Sequence, residues 1–543
     1  MKKIIPITLS TIFVFTLTGC SLLNVLEKYA NKDSSEESSE SSSKDQSSSG
    51  SSKDTSSSEI DTSSYIDHSE FDYFSNPMLQ NSEEYIRFWE PETKHNFQIE
   101  MSQEAADFIN NYQYSHNDST YHDYYVPCTL KYLDVSGETL TMEEVGIRQK
   151  GNMSRDHILK DGNFSLDTLG HFKLSFKQTF DGDEYDDIPE LNHFKKVWDD
   201  SSARKTRKNR TLYGMEKIDI KWNRNHDETN SKQSYMLKTF RDMDVIAGNC
   251  TLSTVSLKIE GKEGITTTYE VLECIDEVFI QRHFNEQYAA GDLYKCAYQN
   301  APANFSSSYK VGNQIGVEDN TKNYHPAYDL KTNKKKNTTH TNLLNLIKVM
   351  NDKTSSADVY KKKIASVMNM ESFMMYEAIA YLCGNFDDLR NNANNYYLYF
   401  TSETNYAFII PYDFDRGLGT GCEGRQDYMT SFSAESTKMQ CSGNWQNINI
   451  YWRTVCTTTD KSSGYANVER VEEYRQMYQS NIEILLNERI ISGKSFEEYV
   501  YSFPEAYRGN PNGSGEGNTT FNDYLTLKIQ SIKGNNKNYN IEV

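Results

Sequence analysis

No Cys-x-x-Cys pair occurs among the nine cysteines of this 543-residue chain, which argues against a zinc site built on paired thiolates. A basic excess is missing too. Aspartate and glutamate number 77 against 57 lysines and arginines, a net charge of −20, so the chain lacks the positive face that a nucleic-acid partner needs. Hydrophobic residues make up only 37 %, and the apolar stretch from Ile4 to Leu17 is too short to span a membrane as a mature helix. A large core must therefore draw on aromatic side chains, which reach 13 % and include 38 tyrosines.

The N-terminus carries the pattern of a secretory signal, Met1-Lys-Lys3 followed by the apolar run. It ends in Leu17-Thr-Gly-Cys20, which resembles the bacterial lipoprotein box. That resemblance implies a signal peptide over residues 1–20, lipidation of Cys20, and a mature chain held by lipid at the extracytoplasmic face of the cell membrane. Residues 21–64 follow as a Ser-rich tether. From Lys32 to Ser64 eight acids stand against three lysines and no aromatic residue occurs, so the segment has too little apolar surface to offset the entropy of ordering. The rest of the chain remains acidic without it. Eight cysteines are left beside Cys20, and an extracytoplasmic address permits disulfides. Cys422, Cys441 and Cys456 crowd a loop-rich region where one bridge fits, whereas Cys274 and Cys383 lie in apolar surroundings and read as buried thiols.

Acidic residues gather around one hairpin. Asn395 to Phe400 and Tyr406 to Pro411 are rich in aromatic and β-branched residues, and Thr401 to Asn405 between them is a loop of hairpin length. Antiparallel pairing brings the entry of the first strand beside the exit of the second. Asp387, Asp413 and the Asn-rich segment Asn391 to Asn395 are thus expected at one open end. This order of parts suits phosphoryl transfer, in which acids hold Mg²⁺ on the phosphates and orient a hydroxyl. No His-Arg-Asp precedes Asp387, and the tripeptide after the hairpin is Asp413-Phe414-Asp415. Turn chemistry is the plain alternative, since Asn and Asp bond to their own main chain. A calcium loop fits less well: with Asp413 as the first place, the sixth and twelfth hold Leu418 and Gly424 instead of Gly and Glu.

Basic residues recur on the strands before the hairpin. Pro127 to Tyr132 and Glu143 to Lys150 read as strands about a turn at Ser136-Gly137, and the second places Arg148, Lys150 and Asn152 on one face. Phe172 to Lys177 alternates, with Phe172, Leu174 and Phe176 inward and Lys173, Ser175 and Lys177 outward. These cations could face a triphosphate or simply solvent. Thr251 to Glu260 and Thr266 to Ile275 read as a further strand pair, and Glu273 at its end could pair with a phosphate-holding lysine.

Ser234 to Met243 reads as a helix, and Gln299 to Thr341 as a long insertion or lid. Helices are expected over Asn342 to Met350, Met370 to Cys383, Val468 to Leu486, Ser495 to Phe503 and Phe521 to Ile532, with Gly384 stopping the second. A sheet-rich N-terminal part and a helix-rich C-terminal part make an α+β, two-lobe outline. One domain is expected over residues 65–543, with an N-lobe over about 65–290, the insertion at 299–341 and a C-lobe over about 342–543.

Six segments together resemble the spore-coat CotH kinase family: Arg148-Gln-Lys-Gly-Asn-Met-Ser154, Phe172-Lys-Leu-Ser-Phe176, Leu272-Glu-Cys-Ile-Asp276, Gly384-Asn-Phe-Asp387, Asn394-Asn-Tyr-Tyr-Leu-Tyr399 and Pro411-Tyr-Asp-Phe-Asp415. The resemblance implies an atypical protein-kinase-like fold, ATP with Mg²⁺ or Mn²⁺, and Ser on secreted or surface proteins as acceptor. By position, Asp387 would be the catalytic acid, Asp413 a metal ligand, and Asn395 a second ligand with Asn392 as rival. Arg148, Lys150 and Lys177 would hold phosphates, and Glu273 would pair with a lysine. The family usually has Gly-Asn-Ser-Ser where Gly151-Asn-Met-Ser154 stands, and Trp is common at Tyr412. An inactive kinase-like binding module and a metal-dependent phosphohydrolase are the alternative functions.

Overall fold

Alternation of apolar and polar residues along its strands folds the first part of the chain into a closed seven-stranded barrel. The computed structural model describes residues 65–114, 123–151, 154–299, 301–390, 392–420, 449–455, 465, 467–535 and 539–543. The signal, the tether, Cys20, Asn152 and Cys422, Cys441 and Cys456 lie outside them. The barrel strands are β1 (Asn96–Met101), β2 (Val126–Leu133), β3 (Thr139–Gln149), β4 (Phe172–Ser175), β5 (Lys217–Trp222), β6 (Cys250–Ile259) and β7 (Ile265–Glu273). Their order is β1-β2-β3-β4-β5-β7-β6, antiparallel throughout except where β1 closes the ring beside β6 in parallel. Inward-facing Phe97, Ile99, Leu130, Tyr132, Ile147, Phe172, Leu174, Ile218, Ile220 and Val271 fill it.

Register decides what the other face carries. Arg148 lies opposite Lys173, and Lys173 opposite Asp219. Directly opposed residues point to the same side of a sheet, and so do residues two apart along one strand. Arg148, Lys150, Lys173, Lys217, Asp219 and Lys221 therefore share one face, opposite the apolar one.

A second sheet is built from β8 (Asp292–Cys296), β9 (Ile315–Gly316), β10 (Tyr328–Leu330), β11 (Tyr396–Phe400) and β12 (Ala407–Pro411), in the order β9-β10-β8-β11-β12. β11 and β12 are the expected hairpin, paired from Tyr396 with Pro411 to Phe400 with Ala407. All ten of their residues are buried, which explains why they read as continuous apolar runs. The segment 299–341 is no separate lid, because it supplies β9 and β10 to this sheet. Strands of two and three residues give too short an alternation to be seen in sequence.

The helix Met370–Cys383 packs nearly every side chain out of solvent and stops at Gly384, whose φ of 65° is left-handed. A side chain there would also meet the Tyr524 hydroxyl. Four further expected helices are present as Thr341–Met350, Glu472–Asn487, Gly493–Ser502 and Phe521–Asn535, and Lys232–Asp242 replaces the reading that began at Ser234. The architecture is thus mixed α+β, and all described residues belong to one compact unit, Thr62–Val543.

Candidate active site

The hairpin delivers two acid-bearing turns to its open end. Just outside the last pair of β11 and β12, the Tyr412 amide donates to the Asn395 carbonyl at 3.2 Å. Asn395, with a φ of 54°, and Asp413, with a φ of 60°, both sit in the left-handed region, where Asn and Asp are the least strained of the non-glycine residues. Asn385 joins the two turns: its Oδ1 accepts from the Asp387 amide at 3.2 Å and its Nδ2 donates to the Asp413 carbonyl at 3.4 Å.

The carboxylates themselves have different company. Asp387 accepts from three carboxamides, Asn392 at 2.8 Å, Asn394 at 3.0 Å and Asn395 at 2.8 Å. The Asn run thus serves to clamp one acid. Directly beneath, Arg390 is fully buried and donates to Glu377 at 3.0 Å and to the Tyr478 hydroxyl at 3.1 Å, which ties the Asp387 loop to two helices.

Asp413 and Asp415 converge instead on the Lys221 ammonium, which is bonded to Asp413 and lies 2.9 Å from Asp415. Lys221 donates also to Gln233 Oε1 at 3.1 Å, and Gln233 in turn donates to Glu270 Oε2 at 2.6 Å. Burial opposes ionisation of Asp413, yet Lys221 and, beyond it, Lys150 outweigh that effect and hold its carboxyl well below the usual range. Asp415 is shifted the other way, up, by burial and by the Asp413 charge. Burial also pushes Glu270 up, to about 8.

Next along the barrel face, Asp219 takes Lys150 and Lys173 on its two oxygens, each at 3.0 Å. Burial again disfavours its charge, but the two lysines more than compensate and its carboxyl lies well below the usual range. Lys150 reaches the Tyr412 hydroxyl at 2.9 Å, which links this pair to the residue before Asp413. Arg148 is paired with Asp123 at 2.9 Å.

These cations open onto a cleft of about 310 Å³ between the barrel and the second sheet. Its barrel wall carries Arg148, Lys150, Arg155, Lys173 and Lys217, and Cys274 to Asp276 form one edge. The wall opposite carries Lys295, Lys331 and Lys334, and the Tyr397 and Tyr412 rings contribute flat surfaces.

Two residues named from the sequence fall elsewhere. Lys177 is not on the cleft: β4 ends at Ser175, the chain turns, and Lys177 pairs with Glu216. Lys173, four residues earlier and within β4, holds the place instead. Among the described residues Glu273 meets no lysine. It lies opposite Ile218 in register and so faces away from the lysines, accepting from Tyr85 at 2.5 Å and Asn249 at 2.8 Å. The acid opposite Lys221 is Glu270. Lys221, Asp219 and Gln233 were not singled out from sequence; the alternation Lys217-Ile-Asp-Ile-Lys221 was the available signal.

Divalent-ion chemistry can be tested against the donor set. Asp413 and Asp415 offer hard carboxylate oxygens on one turn, the type that Mg²⁺ and Mn²⁺ select. Among the described residues no group of three or more His, Cys, Asp or Glu is placed to hold a metal. In phosphoryl-transfer sites Mg²⁺ takes only one or two carboxylates and completes its shell with phosphate and water, so the pair fits. Asn395 turns its amide nitrogen to Asp387, because a carboxylate can only accept; its oxygen is left for another partner.

Fold and site together define a mixed α+β protein with two acid-bearing turns beside a basic cleft. The CotH kinase protein family matches residues 147–508, and the chain belongs to that family. A chain of the HipA, HipB and operator DNA complex of the toxin–antitoxin system of Shewanella oneidensis MR-1 shares 10 % identity, with a TM-score of 0.26 over 59 % of this chain and 58 % of that one. No curated protein sequence matches.

Proposed function

We propose that this protein is a kinase of two lobes, barrel and helical part, transferring the γ-phosphate of ATP to serine hydroxyls of secreted or surface proteins. The observation that carries the reading is the register of the barrel. It places Lys150, Lys173, Asp219 and Lys221 in one row running toward the Asp413–Asp415 turn, with the Asn-clamped Asp387 on the adjoining turn of the same hairpin. Lys150, Lys173 and Arg148 would hold phosphates, the tyrosine rings would flank the base, and Asp413 with Asp415 would hold Mg²⁺ or Mn²⁺, with Asn395 Oδ1 as a further ligand atom. Such an ion neutralises charge on the phosphates when bound.

Within the chain, Asp387 does the proton work. Three carboxamides fix its orientation without neutralising it, so it stays an acceptor for an incoming hydroxyl. Lys221 keeps the two acids of the other turn together. The lipoprotein-like box at Cys20 supports an extracytoplasmic, lipid-anchored location, which mass spectrometry of the mature N-terminus would check.

Purified protein with labelled ATP and Mn²⁺ is expected to label a Ser-rich acceptor, and Asp387→Ala and Asp413→Ala are each expected to lower the rate at least 100-fold. Undiminished transfer by both variants would refute the assignment.

A further inference from the structure

Cations outnumber carboxylates in the lining of the cleft, and two lysines of one wall stand outside its ion pairs. On the barrel side Lys150 and Lys173 share Asp219 and Arg148 has Asp123. On the opposite wall Lys331 is paired with Asp329 and Glu318. Among the described residues, no carboxylate forms an ion pair with Lys295 on β8 or with Lys334 at the exposed rim. Burial, reinforced by Lys331, pushes the Lys295 ammonium down to about 8. In a chain of net charge −20, cations that line a cleft without an ion pair of their own are a recognition feature for an anion.

Connectivity places this wall on the acceptor side. Three residues beyond Lys295, the Tyr298 amide donates to Asn394 Oδ1 at 2.6 Å, and Asn394 Nδ2 donates to Asp387. A little further, the Ala303 amide donates to the Ala393 carbonyl at 2.8 Å. The strand that carries Lys295 is therefore fastened to the Asp387 turn, where a hydroxyl would arrive, while the Lys295 ammonium also stands over the Tyr412 ring at 5.9 Å, beside the Asp413 turn.

We propose that Lys295 and Lys334 select acceptor serines set among acidic residues. The proposal rests on the kinase reading above and gives it a substrate class. One segment of that chemistry belongs to the chain: Lys32 to Ser64 holds 17 serines, eight acids and three lysines. In the transfer, the serine oxygen bonds to the γ-phosphorus and the bond from that phosphorus to the β–γ bridging oxygen breaks. ADP leaves with the electron pair, and the hydroxyl proton passes to Asp387.

The test uses the full-length protein, ATP with Mn²⁺, a synthetic peptide of residues 32–64, and the same peptide with its eight acids changed to Asn and Gln. Wild type should show a KM roughly tenfold lower for the acidic peptide, the size expected of a few partly exposed charge pairs. Lys295→Met with Lys334→Met should bring the ratio of the two KM values close to one. Equal use of both peptides by wild type overturns the proposal and leaves the kinase reading standing. So does a double variant that keeps the peptide ratio while its KM for ATP rises, which would assign the lysines to the nucleotide. Absence of label on either peptide and on any other serine acceptor overturns both.

Discussion

Lys221 is the side chain to which most of the buried charge in the site answers. Its ammonium is only 3 % exposed, while Asp413 and Asp415 are 30 % and 24 % exposed. Replacing it by methionine leaves two neighbouring carboxylates without their cation in a largely dry setting, and breaking a buried pair from one side costs more than the pair contributes. Lys221→Met is expected to lower stability by about 2–4 kcal/mol, measured by denaturant unfolding. Lys177→Met, which removes only a half-exposed pair with Glu216, should cost under about 1 kcal/mol. Glu270 gives the residue scale a pH signature. Its folded carboxyl is raised to about 8, so between the ordinary glutamate range and that value the unfolded chain has released a proton that the folded chain retains. Raising the pH through this window therefore favours unfolding. Glu270→Gln should remove part of the loss of stability between about pH 5 and 8, seen as a flatter plot of melting temperature against pH.

At the scale of elements, the helix Met370–Cys383 and the hairpin it introduces set the geometry. The helix ends at Gly384 because the chain must turn left-handed there, three residues before Asp387, and because the Tyr524 hydroxyl fills the space a Cβ would need. Gly384→Ala meets both obstacles and is expected to destabilise by about 2–3 kcal/mol. Displacement of the Asp387 turn should accompany it, detected as lost phosphoryl transfer at temperatures where the variant is still folded. The pairing of Arg390 with Glu377, both essentially buried, holds the same turn from below. The hairpin, the long buried helix and its glycine stop were legible in the sequence because each carries a strong local signal: aromatic strands about a polar loop, apolar residues all round, a glycine at the C-cap. β9 and β10 were not legible, since two or three residues are held as strand by neighbours distant in sequence.

For the whole molecule, the expected test is linkage. If Asp413, Asp415 and the basic cleft bind Mn²⁺ and ATP together, the folded state alone gains that free energy, about 2.7 kcal/mol at a ligand concentration 100 times Kd. The melting temperature should rise when both are added and much less with ATP alone, recorded by scanning calorimetry. No rise with either would favour the alternative of a catalytically inactive, kinase-like binding module.

The sequence by itself determined the chemistry on offer: acids beside a hairpin, lysines at alternate positions, a mixed α+β outline and membership of a kinase family. Alternation fixes which residues share a face but not which face meets which, and of the four residues named as ligand-holding, Arg148 and Lys150 line the cleft while Lys177 and Glu273 do not. Only the closed barrel decided that. Its register set Lys173 against Asp219 and Glu270 opposite Lys221, and it turned Glu273 away, because a shift of one residue along a strand sends a side chain to the other side of the sheet.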